Sequence, residues 1–165
     1  MSRAFVKEND LEHAGIDIPE RPVSSEPNYV TQTGLTELRD SIKAIEISLD
    51  EIKLIDSAES KQIKMKLERD LRYYLKRIES AILIDSKNQD HTKVLFGAKV
   101  KLINTDGKEY YFHLVGEDEA NLSKNKLSYI APLAKELIGS VLGDEFTWMM
   151  QGEEQQMYID EITYN

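Results

Sequence analysis

From Leu35 onward, apolar residues fall at Leu35, Leu38, Ile42, Ile45, Leu49 and Ile52, alternating three and four positions apart. That spacing keeps one stripe on a slightly underwound helix and demands a second helix to cover it. A second stripe follows at Leu67, Leu71, Tyr74, Ile78 and Ala81. Between them the phase changes at Asp56-Ser57-Ala58, a connection short enough to force the two helices to run antiparallel as a hairpin. One continuous helix that dimerises in parallel satisfies the same spacing, but Asp56 and Ser57 are natural turn and N-cap residues and favour the hairpin. Thr33 or Thr36 is the expected cap of the first helix.

The flanks read differently. Residues 1–33 hold Pro19, Pro22 and Pro27, with six acids against three bases and no sustained periodicity. They read as an irregular tail with a short extended piece at Ala4-Phe5-Val6. After Asp85, β-rich runs at 94–103 and 109–115 are separated by Asn104-Thr105-Asp106-Gly107, and Asp-Gly between such runs signals a hairpin turn. Further strands are expected at 126–130, 145–150 and 156–164, the last two flanking Gly152. A helix is expected at 132–138, opened by Pro132 and stopped by Gly139. The fold class is therefore α+β: a tail over 1–33, a helical hairpin over 34–85, and an antiparallel sheet with one helix over 86–165. Phe146, Trp148 and Met150 alternate as core or edge residues of a strand.

Composition narrows the function. The 165 residues contain no cysteine, which removes thiolate metal sites and cysteine nucleophiles, and His13, His91 and His113 are scattered. A net charge of −9 argues against free duplex DNA as the main partner, since phosphate affinity comes from Lys and Arg. No run approaches the roughly 18 apolar residues of a membrane span, and the start of the chain lacks a signal-peptide core, so a cytoplasmic protein is expected. The tail carries −3 and the sheet region −5, whereas the hairpin is nearly balanced, with ten bases against eleven acids. Its bases gather on the second helix at Lys61, Lys64, Lys66, Arg69, Arg72, Lys76 and Arg77, which by themselves read as a solvated face with ion pairs such as Glu68–Arg72. Two acidic groups stand out. Glu117-Asp118-Glu119 reads as an exposed loop. Asp56 and Glu59 are three residues apart at the hairpin tip, on one side of a turn, and read either as a cation-facing pair or as the cap and first-turn acid of the second helix.

Several motifs occur in order behind the hairpin: Val94-Leu95-Phe96-Gly97-Ala98-x-Val100, Asp106-Gly107, Val115-Gly116-Glu117-Asp118-Glu119-Ala120, Ala131-Pro132-Leu133-Ala134-Lys135-x-Leu137, Val141-Leu142-Gly143-Asp144 and Ile159-x-x-Ile162-x-Tyr164. Together with Leu71-Arg72-Tyr73 and Ile84-Asp85, they make residues 28–165 resemble the GreA/GreB family of bacterial transcript-cleavage factors. The resemblance implies a coiled-coil hairpin joined to an FKBP-like domain, with bacterial RNA polymerase as partner. In that family the domain docks at the secondary channel and the hairpin reaches inward. Tip carboxylates, here Asp56 and Glu59, help hold the Mg²⁺ of the polymerase active centre, so that backtracked RNA is cleaved there. The chain itself would be no enzyme, hold no stable metal or intrinsic cofactor, and bind no DNA sequence-specifically. The resemblance also implies that Lys61, Lys64, Lys66, Arg69 and Arg72 face the nascent RNA 3′ end, and that Glu117, Asp118, Glu119 and Pro132 meet the polymerase.

The tip departs from the family pattern Gly-Asp-x-x-Glu-Asn, reading Ile55-Asp56-Ser57-Ala58-Glu59-Ser60. Each arm is also about two turns short, a loss of around 10 Å in reach. The alternative is therefore a short-hairpin regulator of the nucleoside diphosphate kinase regulator type, which binds polymerase and competes for the channel without cleavage. A peptidyl-prolyl isomerase, suggested by the FKBP-like fold, finds no clear aromatic-lined proline pocket in the sequence.

Overall fold

The hairpin forms where the apolar phase requires it. In the computed structural model, which describes residues 18–164, helix α1 spans Gln32–Ile52 and helix α2 spans Ala58–Glu79. The expected extended piece at Ala4-Phe5-Val6 lies outside the described residues. Leu38 is buried, while Leu35, Ile42, Leu49, Leu67, Leu71, Tyr74 and Ile78 are half-buried. Two helices can cover only one stripe of each other, so the seam stays partly wet along its length.

The cap of α1 is Thr31, two residues before the earlier of the two expected caps, and its hydroxyl accepts from the Gly34 amide at 2.9 Å. Thr36 lies within the helix, and its hydroxyl turns back to the Gln32 carbonyl. Just before the cap, strand β1 (Tyr29–Val30) pairs in parallel with β2 (Ile82–Leu83), which directly follows α2. This small pair closes the hairpin base, and no sequence periodicity announced it.

The remaining strands are β3 (Lys99–Asn104), β4 (Glu109–Val115), β5 (Lys126–Ser128), β6 (Glu145–Met150) and β7 (Glu153–Thr163), ordered β5-β4-β3-β7-β6 in one sheet. Helix α3 spans Pro132–Leu137 and buries Leu133, Ala134 and Leu137 against Val94, Leu102, Leu114, Met157 and Ile159. Phe146, Trp148 and Met150 pack against this core. The sheet is not wholly antiparallel, because β5 joins β4 in parallel after a long connection. Residues 94–98 are also not strand; Gly97 takes φ +85° there, and the chain turns before β3 begins. Between β3 and β7 the register slips so that Lys101 faces Glu161 and Leu102 faces Ile159. Asp160 is the extra residue, and its carboxylate meets Lys101 Nζ at 3.0 Å. No helix among the described residues is long and apolar enough to cross a membrane.

Candidate functional site

At the tip, α1 ends at Lys53, and Leu54 and Ile55 stand 92% and 58% exposed. Helix α2 is opened by Ser57, whose hydroxyl accepts from the Ser60 amide at 3.0 Å. Ser60 answers by accepting from the Ser57 amide at 3.0 Å and donating to the Ile55 carbonyl at 2.7 Å. Two serines thus make a reciprocal capping box, a role usually filled at its second position by Glu or Gln. Ser60 is 5% exposed and fastens the turn from inside.

This arrangement corrects the reading of Asp56 as the cap. Its side chain is 91% exposed and, among the described residues, meets only Lys61 Nζ, at 3.2 Å. Glu59 lies in the first turn of α2, exposed, with no ion pair or hydrogen bond among the described residues. The helix dipole favours an acid there, but no contact uses up its oxygens. Both carboxylates are thus held at the end of a capped turn and available to solvent. Among the described residues, no three His, Asp or Glu side chains converge as a metal site. Two acids offer a hard cation part of an oxygen ligand set, and the remaining ligands must come from elsewhere.

Along α2 the bases divide. Lys64 pairs with Glu68 at 3.8 Å, and Arg69 meets Asp70 at 3.0 Å. Glu68–Arg72, the expected pair, does not form. Arg72 instead donates from Nε and Nη2 to Glu20 Oε1 at 3.0 and 2.5 Å, a partner 52 residues away in the tail. That guanidinium holds the Glu20 carboxyl below its ordinary range. Lys66 and Lys76 are exposed, with no ion pair among the described residues.

Arg77 does not belong to the basic face at all. It is 1% exposed and points into the globular domain, Nε meeting Asp118 Oδ2 at 2.5 Å and Nη2 meeting Glu117 Oε2 at 3.5 Å. Tyr73 donates its hydroxyl to the other Asp118 oxygen at 2.6 Å, and burial together with that bond pushes the phenol up to about 12. Glu119 is 5% exposed and accepts from Thr31 at the start of α1 and from Lys126 at 3.0 Å. Its oxygen lies where a Cβ on Gly34 would come within 2.7 Å, so that position of α1 tolerates no side chain without movement. The exposed-loop reading of Glu117-Asp118-Glu119 is thus corrected: the three acids clamp both helices to the sheet domain. The sequence signal available was slight: Arg77 lies three residues after Tyr74 and next to Ile78, within the spacing of the apolar stripe. Pro132, by contrast, is exposed at the first position of α3.

Residues 89–164 match the family model described as "Transcription elongation factor, GreA/GreB, C-term". The chain is 31% identical over 153 residues to transcription elongation factor GreB of Neisseria meningitidis serogroup B, covering 83% of this chain and 94% of that protein. It is 35% identical over 147 residues to transcription elongation factor GreA of Nautilia profundicola, covering 86% and 88%. Among solved structures, a GreA/GreB elongation factor from Nitrosomonas europaea is similar at 20% identity and a TM-score of 0.44, covering 84% of this chain and 99% of that one.

Proposed function

The chain belongs to the GreA/GreB family of transcription elongation factors, and we propose that it binds RNA polymerase, reaches into the secondary channel with its hairpin, and stimulates cleavage of backtracked RNA by the polymerase. The observation that carries this reading is the solvent-exposed acid pair at the tip, in which Asp56 meets Lys61 and Glu59 has no ion pair among the described residues. Ser57 and Ser60 perform the capping that Asp56 would otherwise share, leaving Asp56 and Glu59 exposed on a stiff turn.

In this reading the factor is not itself an enzyme. Mg²⁺ and the attacking water would belong to the polymerase, where such an ion would supply Lewis-acid chemistry for hydrolysis. Asp56 and Glu59 are the residues that would help hold such an ion, since their carboxylate oxygens suit a hard cation. Lys61, Lys64, Lys66, Arg69 and Arg72 lie behind them on α2, facing the nascent RNA. Their charge offsets the repulsion between RNA phosphates and an acidic protein. Glu117 and Asp118 act by fixing the hairpin's direction through Arg77, and exposed Pro132 contributes to the docking face.

One observation supports the alternative of channel occupancy without cleavage. The 21 residues of α1 extend only about 32 Å. Stalled, backtracked complexes incubated with the purified chain decide between the two. Stimulated cleavage that disappears in Asp56→Ala/Glu59→Ala supports the first reading. Binding that blocks access to the channel while RNA stays intact supports the second.

A further inference from the structure

The tail is not idle along the residues described. Its end is anchored at the hairpin base: Tyr129 donates to the Pro27 carbonyl, and Asn28 Nδ2 donates to Arg77 O at 2.7 Å and Ser80 Oγ at 3.2 Å. Tyr29 packs among the rings of Phe96 and Tyr129. From that anchor residues 18–27 run up α2 toward the tip. The Arg21 guanidinium lies 3.8 Å over the Tyr73 ring and 3.6 Å from Asp70, Glu20 occupies Arg72, and Ile18 borders a groove lined by Gln62 and Met65. The strap therefore covers about 22 Å of the helix that carries the basic face.

We propose that this strap is an intramolecular competitor for the nucleic-acid face of α2, with Glu20 filling the Arg72 fork that a phosphate of single-stranded RNA takes when the strap lifts. The inference rests on the reading that α2 faces RNA. Carboxylate and phosphate are recognised by the same paired N–H geometry of arginine, so Glu20 marks where a phosphate oxygen fits. The contact is built to yield. Arg72 and Glu20 are each about half exposed, and an exposed pair of this kind is weak and screened by salt. The anchored end keeps the local concentration of Glu20 high, so the strap closes again when the polyanion leaves. RNA offers several phosphates at once, and Lys66 and Lys76 stand ready on the same helix.

The test uses the full chain and a fluorescein-labelled single-stranded RNA oligonucleotide at low salt, with affinity read by fluorescence anisotropy. Glu20→Gln keeps the strap but removes its charge, and deletion of residues 1–26 removes the strap but leaves the anchor at 27–30. Far-UV circular dichroism confirms that both stay folded. Both variants are expected to bind roughly threefold to fivefold tighter than the parent, the ratio an exposed ion pair implies. Adding Arg72→Gln is expected to erase the difference. If neither variant gains affinity, whether because the constants agree or because nothing binds, the proposal is overturned. The underlying reading fails separately, if Lys64→Glu/Lys66→Glu/Arg69→Glu leaves RNA crosslinking in the polymerase complex unchanged.

Discussion

The chain carries two acidic groups that look alike on paper, and the fold puts them to opposite uses. Glu117-Asp118-Glu119 closes on the buried Arg77, Thr31 and Lys126 at the hairpin base, whereas Asp56 and Glu59 stand in solvent at the tip. At the base a carboxylate is spent on structure, and removing its partner strands it. At the tip serines do the structural work, and the acids stay exposed, Asp56 meeting Lys61 and Glu59 without an ion pair among the described residues. The difference shows that local charge density says little about role until the neighbouring helix ends have been assigned their caps and partners.

Base and tip should differ most at Arg77. Arg77→Met leaves Asp118 and Glu117 facing a buried, uncharged side chain, and the expected loss is about 3 kcal/mol, as for other buried pairs deprived of one partner. Urea unfolding with an unchanged denaturant slope is the measurement. A loss under about 0.5 kcal/mol, the size typical of surface substitutions, would remove the distinction between base and tip.

Next come the serines. Ser57→Ala or Ser60→Ala removes half of the capping box and is expected to cost about 1 kcal/mol in the same experiment. Asp56→Ala is expected to cost much less. The reverse order would return the capping role to Asp56 and put its availability in doubt.

A pH experiment sharpens the base. Tyr73 stays protonated in the folded chain up to about 12 because burial and its bond to Asp118 disfavour the phenolate, whereas an unfolded tyrosine ionises near 10. A group raised on folding stabilises the native state below its unfolded pKa, and that contribution is lost as pH climbs from about 10 to 12. The stability gap between the parent and Tyr73→Phe should therefore narrow over that window, by about 1 kcal/mol once partial exposure is allowed for. A gap that stays constant would mean that the phenol does not feel Asp118. The smallest effect belongs to the tip: Asp56→Asn/Glu59→Gln should move stability by no more than about 0.5 kcal/mol.

Much of this architecture was legible because it rests on periodicity. The alternating stripes gave the hairpin, and Asp106-Gly107 and Gly139 marked turns that the fold uses, with φ +79° and +91°. Contacts between distant segments were not legible in that way. Arg77 sits among exposed bases in sequence, and only the packing of α2 on the sheet turns it inward. Glu20 gives no sign of reaching Arg72, and β1 and β2 are two residues each, too short for any pattern. The acid pair at the tip was found by position and Ser57 was read as an N-cap candidate, but Ser60 was passed over because a serine at the second capping position departs from the usual Glu or Gln.

The proposed division of labour, tip acids acting on chemistry and base acids on geometry, is open to a direct test. Its most direct measurement is the rate of RNA cleavage in backtracked complexes as a function of factor concentration, for the parent chain, Asp56→Asn/Glu59→Gln and Asp118→Asn. The tip variant should lose at least about a hundredfold in maximal rate, by comparison with loss of a single charge-stabilising group in other active centres. Its half-saturating concentration should be unchanged, whereas the base variant should keep a measurable maximal rate at a raised half-saturating concentration. A tip variant that cleaves at the parent's maximal rate would contradict the claim.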